Sequence, residues 1–427
     1  MAPPSWLATT TSTAILPLVV ILGGCLYSPG SAAAQILPVP LAPRDVPEPA
    51  IPFIVSPVHA VFEPIDGYAD DFRFWLRMDY LLGWVRQAPG PLPLVATGDS
   101  KKKNPGAIGQ AGTSVLFGNA GIGFKTASGG QFTFGAWIDQ ENIIGIEGGG
   151  YVLERRANDF VAASDESGKP LLAVPFVNQN MSLATESAHL ISDPKKIAGD
   201  ILVASSMQRW GAELNGIHCF WRRPGFELSL LAGIRYDDLQ ESMRILQHSL
   251  RLASKTSTTF DDLFKTSNQF FGGQAGFRLH WQYNTWVFDV TSKVAVGSTH
   301  QVVEILGESS QFGAKAWPAG SFPSGFFAQS SNIGRSAANP VVAIPSLEAR
   351  LGYQLTPHIR IVTGYEILYW NEVVRPGDQI DRNINLSQSP VLGKTNGTLS
   401  GPASPAPQFH RTGFWAQVVN FGVELRF

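Results

Sequence analysis

The chain has 427 residues, of which 15% are charged and 11% aromatic, with 43 glycines and a formal net charge of −2. Soluble proteins average roughly 25% charged residues, so this composition points to all-β structure rich in turns rather than to a helical protein. The balance offers no basic surface for nucleic acid, and past the N-terminus no apolar run reaches the ~18 residues of a membrane helix.

Ala14–Leu26 is a short apolar run, and Ala32 and Ala34 fit an A-x-A cleavage site. Residues 1–34 therefore read as a secretory signal peptide. No Lys or Arg precedes Arg44, and Leu22-Gly23-Gly24-Cys25 offers a second reading, lipidation at Cys25. If Cys25 is removed, Cys219 has no partner for an intramolecular disulfide. Residues 35–70 follow as a leader with prolines at 38, 40, 43, 47, 49, 52, 57 and 64, a density that favours an extended periplasmic spacer.

From Phe72 the pattern changes to a period of two. Phe72, Phe74, Leu76, Met78, Tyr80, Leu82 and Trp84 share one face, with Arg73, Arg77 and Asp79 opposite. Comparable strands are predicted at 130–138, 143–154, 210–221, 226–238, 270–281, 286–297, 346–355, 359–371 and 414–427. Each is about as long as a tilted strand needs to cross a bilayer. In the last one Phe427, Leu425, Val423 and Phe421 take the apolar face and Arg426 and Glu424 the polar one. This closing strand is expected to act as the assembly signal of a membrane barrel and to seal against the first strand.

The connections alternate. Asp139–Asn142, Arg222–Gly225, Gln282–Thr285 and Thr356–His358 are tight turns, while 85–129, 155–209, 239–269, 298–345 and 372–413 are long. Short periplasmic turns and long extracellular loops are the rhythm of a closed, antiparallel transmembrane β-barrel over residues 71–427. The count is ten strands. Gln240–Leu252 and His300–Leu306 also alternate, either as two strands projecting beyond the membrane or as extra hairpins that raise the count to twelve. Trp84, Trp221, Trp281, Trp286, Tyr369 and Trp370 lie near strand ends, as interfacial girdles require.

Several segments carry a family resemblance. They are Tyr80-Leu81-Leu82-Gly83-Trp84 with Pro91–Gly98, Gly233-Ile234-Arg235-Tyr236-Asp237-Asp238-Leu239, Asn268–Gln274 and Asn420–Phe427. The most specific is Gly364–Asn371 running on through Val374-Arg375-Pro376-Gly377-Asp378-Gln379-Ile380-Asp381. Together they resemble the putative beta-barrel porin-7 family over roughly Phe72 to Phe427. The resemblance implies a secreted bacterial outer-membrane barrel of porin type and brings no substrate with it.

Strand parity places Arg73, Arg77, Arg235, Arg278, Lys293, Arg350, Arg360 and Arg426 toward the lumen, with Asp79, Glu147, Glu213, Glu227, Asp237, Asp289, Glu348, Glu366 and Glu424. Such a ladder either lines an aqueous pore or pairs up and fills a narrow barrel. Pro376-Gly377 fits a type II turn. Asp378 and Asp381 are too few oxygen donors for a convincing calcium site and read more simply as part of a structural loop. Lys101-Lys102-Lys103 is a solvated loop tip, with contact to anionic lipopolysaccharide as the sharper reading.

The eight histidines are scattered without metal-ligand spacing, and Gly393-Lys394-Thr395 lacks the first glycine of a phosphate loop. No catalytic residue, cofactor or metal is expected, and no enzyme. The expected function is passive passage of small solutes or a structural barrel; the alternative is a closed surface barrel whose long loops bind ligands or neighbouring surfaces. The partners are outer-membrane lipid, the barrel assembly machinery and small solutes.

Overall fold

The computed structural model of the chain describes residues 72–90, 92–180, 184–393 and 397–427. All of these lie in the unit Glu63–Phe427. The expected signal peptide, the Cys25 alternative and the proline-rich leader fall outside the described residues.

The strands are β1 (Phe74–Val85), β2 (Val95–Thr97), β3 (Ser114–Phe117), β4 (Ala127–Trp137), β5 (Ile144–Ala163) and β6 (Leu172–Asn178). Next come β7 (Thr185–Ser192), β8 (Ile197–Arg223), β9 (Phe226–Arg251), β10 (Thr256–Tyr283), β11 (Trp286–Phe312) and β12 (Gly320–Phe322). The last are β13 (Gly334–Ala338), β14 (Val341–Thr356), β15 (Ile359–Val374), β16 (Asn383–Ile384) and β17 (Arg411–Arg426).

Ten of them, β1, β4, β5, β8, β9, β10, β11, β14, β15 and β17, pair antiparallel in that order around a closed ring. The chain is an all-β barrel. The seam joins the first and last strands, with Trp75 opposite Arg426 and Val85 opposite Ala416. Phe427 extends the seam: its carbonyl accepts from the Arg73 and Phe74 amides at 2.8 and 3.0 Å.

All four tight turns hold. Asn142, Gly225 and Asn284 have φ of 53°, 73° and 54°, the left-handed region that asparagine and glycine reach most easily.

On the outer surface, exposed apolar side chains fill a band bounded by two aromatic rings. Trp221, Trp281, Trp286 and Tyr353 lie beside the short turns, and Trp84, Trp210, Tyr236, Phe271 and Tyr369 lie at the far edge. Between these rings the barrel presents its lipid-facing surface.

Strands β5 and β8 to β11 do not stop at the upper ring. On β9 the ladder runs fifteen residues further, from Tyr236 to Arg251, roughly 35 Å of height for a strand tilted near 45°. Both alternating stretches, Gln240–Leu252 and His300–Leu306, belong to these projections rather than to extra hairpins, and five strands project instead of two. Above the ring the two faces exchange character. On β9 Leu230 and Ile234 point out, whereas Met243 and Ile245 point in and are buried.

Candidate functional site

The inward face divides into three tiers. In the periplasmic half the predicted charges meet in pairs. Arg77 sits 2.9 Å from Asp79 and 3.8 Å from Glu424, and donates to the Thr133 hydroxyl at 2.9 Å. Arg278 grips both oxygens of Glu147 at 2.6 and 3.1 Å. Lys293 pairs with Glu213, Arg350 with Glu348, and Arg235 and Arg209 share Asp237. Arg360 and Arg426 converge on Glu424 at 3.3 and 2.8 Å, and His280 meets Asp289 at 2.6 Å.

Glu366 has no ion pair among the described residues and lines a cavity of about 40 Å³ with Lys293, Arg235 and Glu348. A second cavity, about 100 Å³, opens at the periplasmic mouth beside Trp75, Arg278 and Arg360. Each has room for several waters. Two candidates stand at the edge: Arg73 is exposed ahead of β1, and Glu227 pairs with Arg222 at 2.8 Å near a short turn.

Above the charges the lumen becomes apolar. Met207, Leu239, Phe270, Ile344, Leu368, Trp370 and Phe414 are buried against one another from six strands, and Leu81, Leu153 and Val418 pack as a smaller group from β1, β5 and β17. Phe270 and Trp370 meet edge to face at 6.1 Å. A layer of this kind gives an ion or a polar solute no hydrogen-bonding partner to replace its water.

The third tier is built by the segment that leaves β15. Arg375 is fully buried, and its guanidinium reaches Glu241 on β9, four strands around the ring, through bonds of 2.8 and 2.6 Å. Its remaining nitrogen donates to the carbonyls of Arg86 and Gln87 at 3.2 and 2.8 Å. Asn268 on β10 exchanges two bonds with the Val374 backbone, 2.9 and 2.8 Å, as another strand would. Gln301 on β11 donates to the Glu372 carbonyl at 3.0 Å. The loop is thus drawn across the lumen and tied to the far wall.

The Arg-Pro-Gly-Asp-Gln segment is therefore a latch. Pro376–Gln379 forms a 3-10 turn rather than the type II turn expected from Pro-Gly. Gly377 serves close approach: a Cβ there would lie 1.8 Å from the Pro89 carbonyl oxygen. Gln379 closes the segment, donating to the Arg375 and His410 carbonyls at 3.0 and 2.9 Å. Asp381 accepts from the Asn383 and Ala406 amides, both at 2.9 Å, and so organises the loop itself.

Over the latch lies a cap. In a second sheet β2 and β16 pair with β6 at Ala173 and at Val177–Asn178, β3 lies beyond β2, and β7 pairs along the whole of β6 on its other edge. The sheet's buried face, Leu94, Val95, Leu172, Val174 and Phe176, packs on the inward Ile201, Val203, Met243, Ile245, Phe260, Phe264, Val303 and Ile305 of the projecting strands. The loop residues Phe326, Phe327 and Ala328 complete this core. Asp262 pins that loop by accepting the Phe327 and Ala328 amides at 2.9 and 2.8 Å.

Both titratable groups of the cap core are shifted by burial. The Asp262 carboxyl is pushed up to about 7. His189, between Phe260 and Phe326, is pushed down to about 4, with Arg251 adding to the effect.

Parity pointed to the charged tier. Sequence alone could not couple Arg375 to Glu241, 134 positions away; the only available signal was the specificity of the latch segment itself.

Among solved structures, the outer membrane protease OmpT from Escherichia coli is similar at 9% identity, covering 84% of this chain and 98% of that one, with a TM-score of 0.38. A Pseudomonas aeruginosa FadL homologue is also 9% identical, covering 84% and 91%, with a TM-score of 0.21. The P. putida toluene transporter TodX has 9% identity over 83% and 90%, with a TM-score of 0.18. No curated protein matches the chain. The family described as Putative beta barrel porin-7 (BBP7) matches residues 75–427, the whole ring from β1 through β17, and the chain belongs to that family of outer-membrane β-barrels.

Proposed function

We propose that this protein is a closed, non-enzymatic barrel of the outer membrane whose working surface is its extracellular portion. The observation that carries this reading is the buried Arg375–Glu241 latch, lying between an apolar lumen layer and an apolar cap. Burying each cap side chain of Leu, Ile or Phe size contributes on the order of 1.5–3 kcal/mol. Lifting the cap would expose many of these at once. The paired charges below it fill the barrel rather than line an open water column. In this reading the terminal residues Phe421, Val423, Leu425 and Phe427 serve recognition by the barrel assembly machinery, after export through a cleaved signal peptide.

A second reading, gated passage of small solutes, draws on the polar character of the latch: an ion pair and amide bonds can be exchanged for a polar ligand more readily than an apolar core can. Conductance across a planar bilayer separates the two. The closed reading expects no current steps from folded protein, with or without small charged solutes. Steps that appear with a solute would favour the gated reading, and steps without one would overturn both.

A further inference from the structure

Directly above the upper aromatic ring, the outer surface of the barrel carries a polar groove of about 740 Å³. It runs across the projecting parts of β5, β8, β9, β10 and β11, with β13 at one rim. Its floor is made of rows set by strand register. Gln208, Gln240 and Ser267 face one another across three strands, and Ser206, Ser242 and Lys265 form the next row up. Amides and hydroxyls in such rows offer paired donors and acceptors, the chemistry that recognises sugar hydroxyls.

Two cations flank the floor. Arg155 donates to the Ser206 hydroxyl at 3.2 and 2.7 Å, and Arg335 has no ion pair or side-chain hydrogen bond among the described residues. The other cations of the groove are engaged, Arg244 with Asp261 at 2.5 Å and Lys265 with Glu304 at 3.3 Å. Guanidinium groups not held by a carboxylate are suited to phosphate. Asp159 at the rim is the counterweight, an exposed carboxylate on the same strand as Arg155.

An independent observation lies at the lower edge. Asp238 points outward yet is only 2% exposed, covered by its neighbours at the ring. One carboxylate oxygen accepts from Gln240 at 3.2 Å and Gln269 at 3.3 Å, while the other is buried with no partner. A buried acceptor of this kind costs stability unless a donor reaches it, and Gln240 and Gln269, which hold the other oxygen, line the groove. Immediately below, Trp210, Phe271 and Ile234 continue as lipid-facing surface.

We infer that the groove holds the head group of a phosphorylated glycolipid from the outer leaflet. Its phosphates lie between Arg155 and Arg335, its sugar hydroxyls on the glutamine and serine rows, and its acyl chains on the apolar wall below. Apolar wall, sugar-binding floor and phosphate-binding rim occur in the vertical order in which such a lipid presents its own parts. The inference concerns the outer surface and does not depend on whether the lumen is open.

The test uses the full barrel in nanodiscs of phosphatidylcholine doped with a bisphosphorylated, acylated glucosamine disaccharide. Lipid retained per protein is read by native mass spectrometry. Wild type is expected to retain the glycolipid, and Arg155→Gln/Lys265→Gln/Arg335→Gln to retain about tenfold less or lower, as lost charge-assisted bonds imply. Lys101→Gln/Lys102→Gln/Lys103→Gln, an equal charge change on a distant loop, is expected to match wild type. The deacylated head group in solution is expected not to displace the lipid.

Equal retention by the groove variant overturns the inference, as does equal loss in the loop variant. Equal retention of a dephosphorylated lipid, or displacement by the soluble head group, overturns it too. Heat-modifiable migration verifies that each variant is folded; if the triple variant is not, Arg335→Gln alone, on the exposed β13, gives the same decision.

Discussion

Glu241→Gln leaves the shape of the latch nearly intact and removes its negative charge. Arg375 and Glu241 are 0% and 1% exposed at their side chains and share two hydrogen bonds. The guanidinium would then keep the Arg86 and Gln87 carbonyls, the Phe414 ring face at 5.5 Å and a neutral amide, with no carboxylate hydrogen-bonded to it. Breaking a buried pair by removing one partner costs about 3–5 kcal/mol. If that cost falls on the closed state, the open population rises roughly 10²- to 4 × 10³-fold, at about 1.4 kcal/mol per factor of ten. Arg375→Gln should cost a similar amount by stranding the carboxylate.

The double variant, with an amide on each side, should cost well under the sum of the two, because neither charge is left behind. The reporter is a single cysteine, Ala328→Cys in a Cys219→Ser background, at a position that is fully buried in the cap. Its modification by an impermeant thiol reagent follows the fraction of time the cap is open. Wild-type rates in both single variants, or costs that add in the double variant, would refute the latch.

The cap should respond to pH through two opposed groups. The Asp262 carboxyl, raised from 3.8 to about 7, favours the closed cap below pH 4 and loses that contribution as pH rises to 7. His189, lowered from 6.5 to about 4, favours it above pH 6.5 and loses that contribution as pH falls to 4. His189→Phe should therefore loosen with rising pH and Asp262→Asn with falling pH, as read by Ala328→Cys labelling normalised to an exposed cysteine at Ser321. Matching slopes in the two variants would contradict the assignment.

On the lipid face, Phe421→Arg should destabilise by about 2–4 kcal/mol and Leu425→Arg, nearer the periplasmic edge, by about 0–1 kcal/mol, measured by reversible unfolding in lipid. Equal costs would mean that the band is misplaced. Phe427→Lys is expected to lower barrel assembly while export continues, as judged by outer-membrane yield against periplasmic accumulation; normal yield would remove the assembly role.

The barrel was legible because a bilayer imposes one rule on every strand: apolar out, period two, about ten residues, and turns that are short on one side only. Phe72 to Trp84 puts an apolar side chain outward at every second position, with Trp75 and Leu81 as the apolar residues of the inward face. Above the membrane the rule reverses, since water lies outside and the cap lies inside. On β10, Phe271 and Phe277 face lipid while Phe260 and Phe264, of opposite parity, face the cap. Reading inward as the face opposite the apolar one therefore located the charged tier but not the cap core.

The second sheet left still less trace. β2, β3 and β16 have three, four and two residues, too few to show a period, and β2 and β16 pair with β6 from a distant loop. The latch was visible only as an unusual string, because its meaning depends on Glu241, Asn268 and Gln301 on other strands. The type II turn expected at Pro376-Gly377 failed for a related reason. Gly377 is required by the Pro89 backbone beneath it, a contact that no local pattern encodes.

The claim that the lumen is closed is tested most directly by single-channel recording of the purified, heat-modifiable barrel in a planar bilayer. The account predicts no current steps above the lipid background for the wild-type protein. Steady, stepwise conductance from the folded wild type would contradict it.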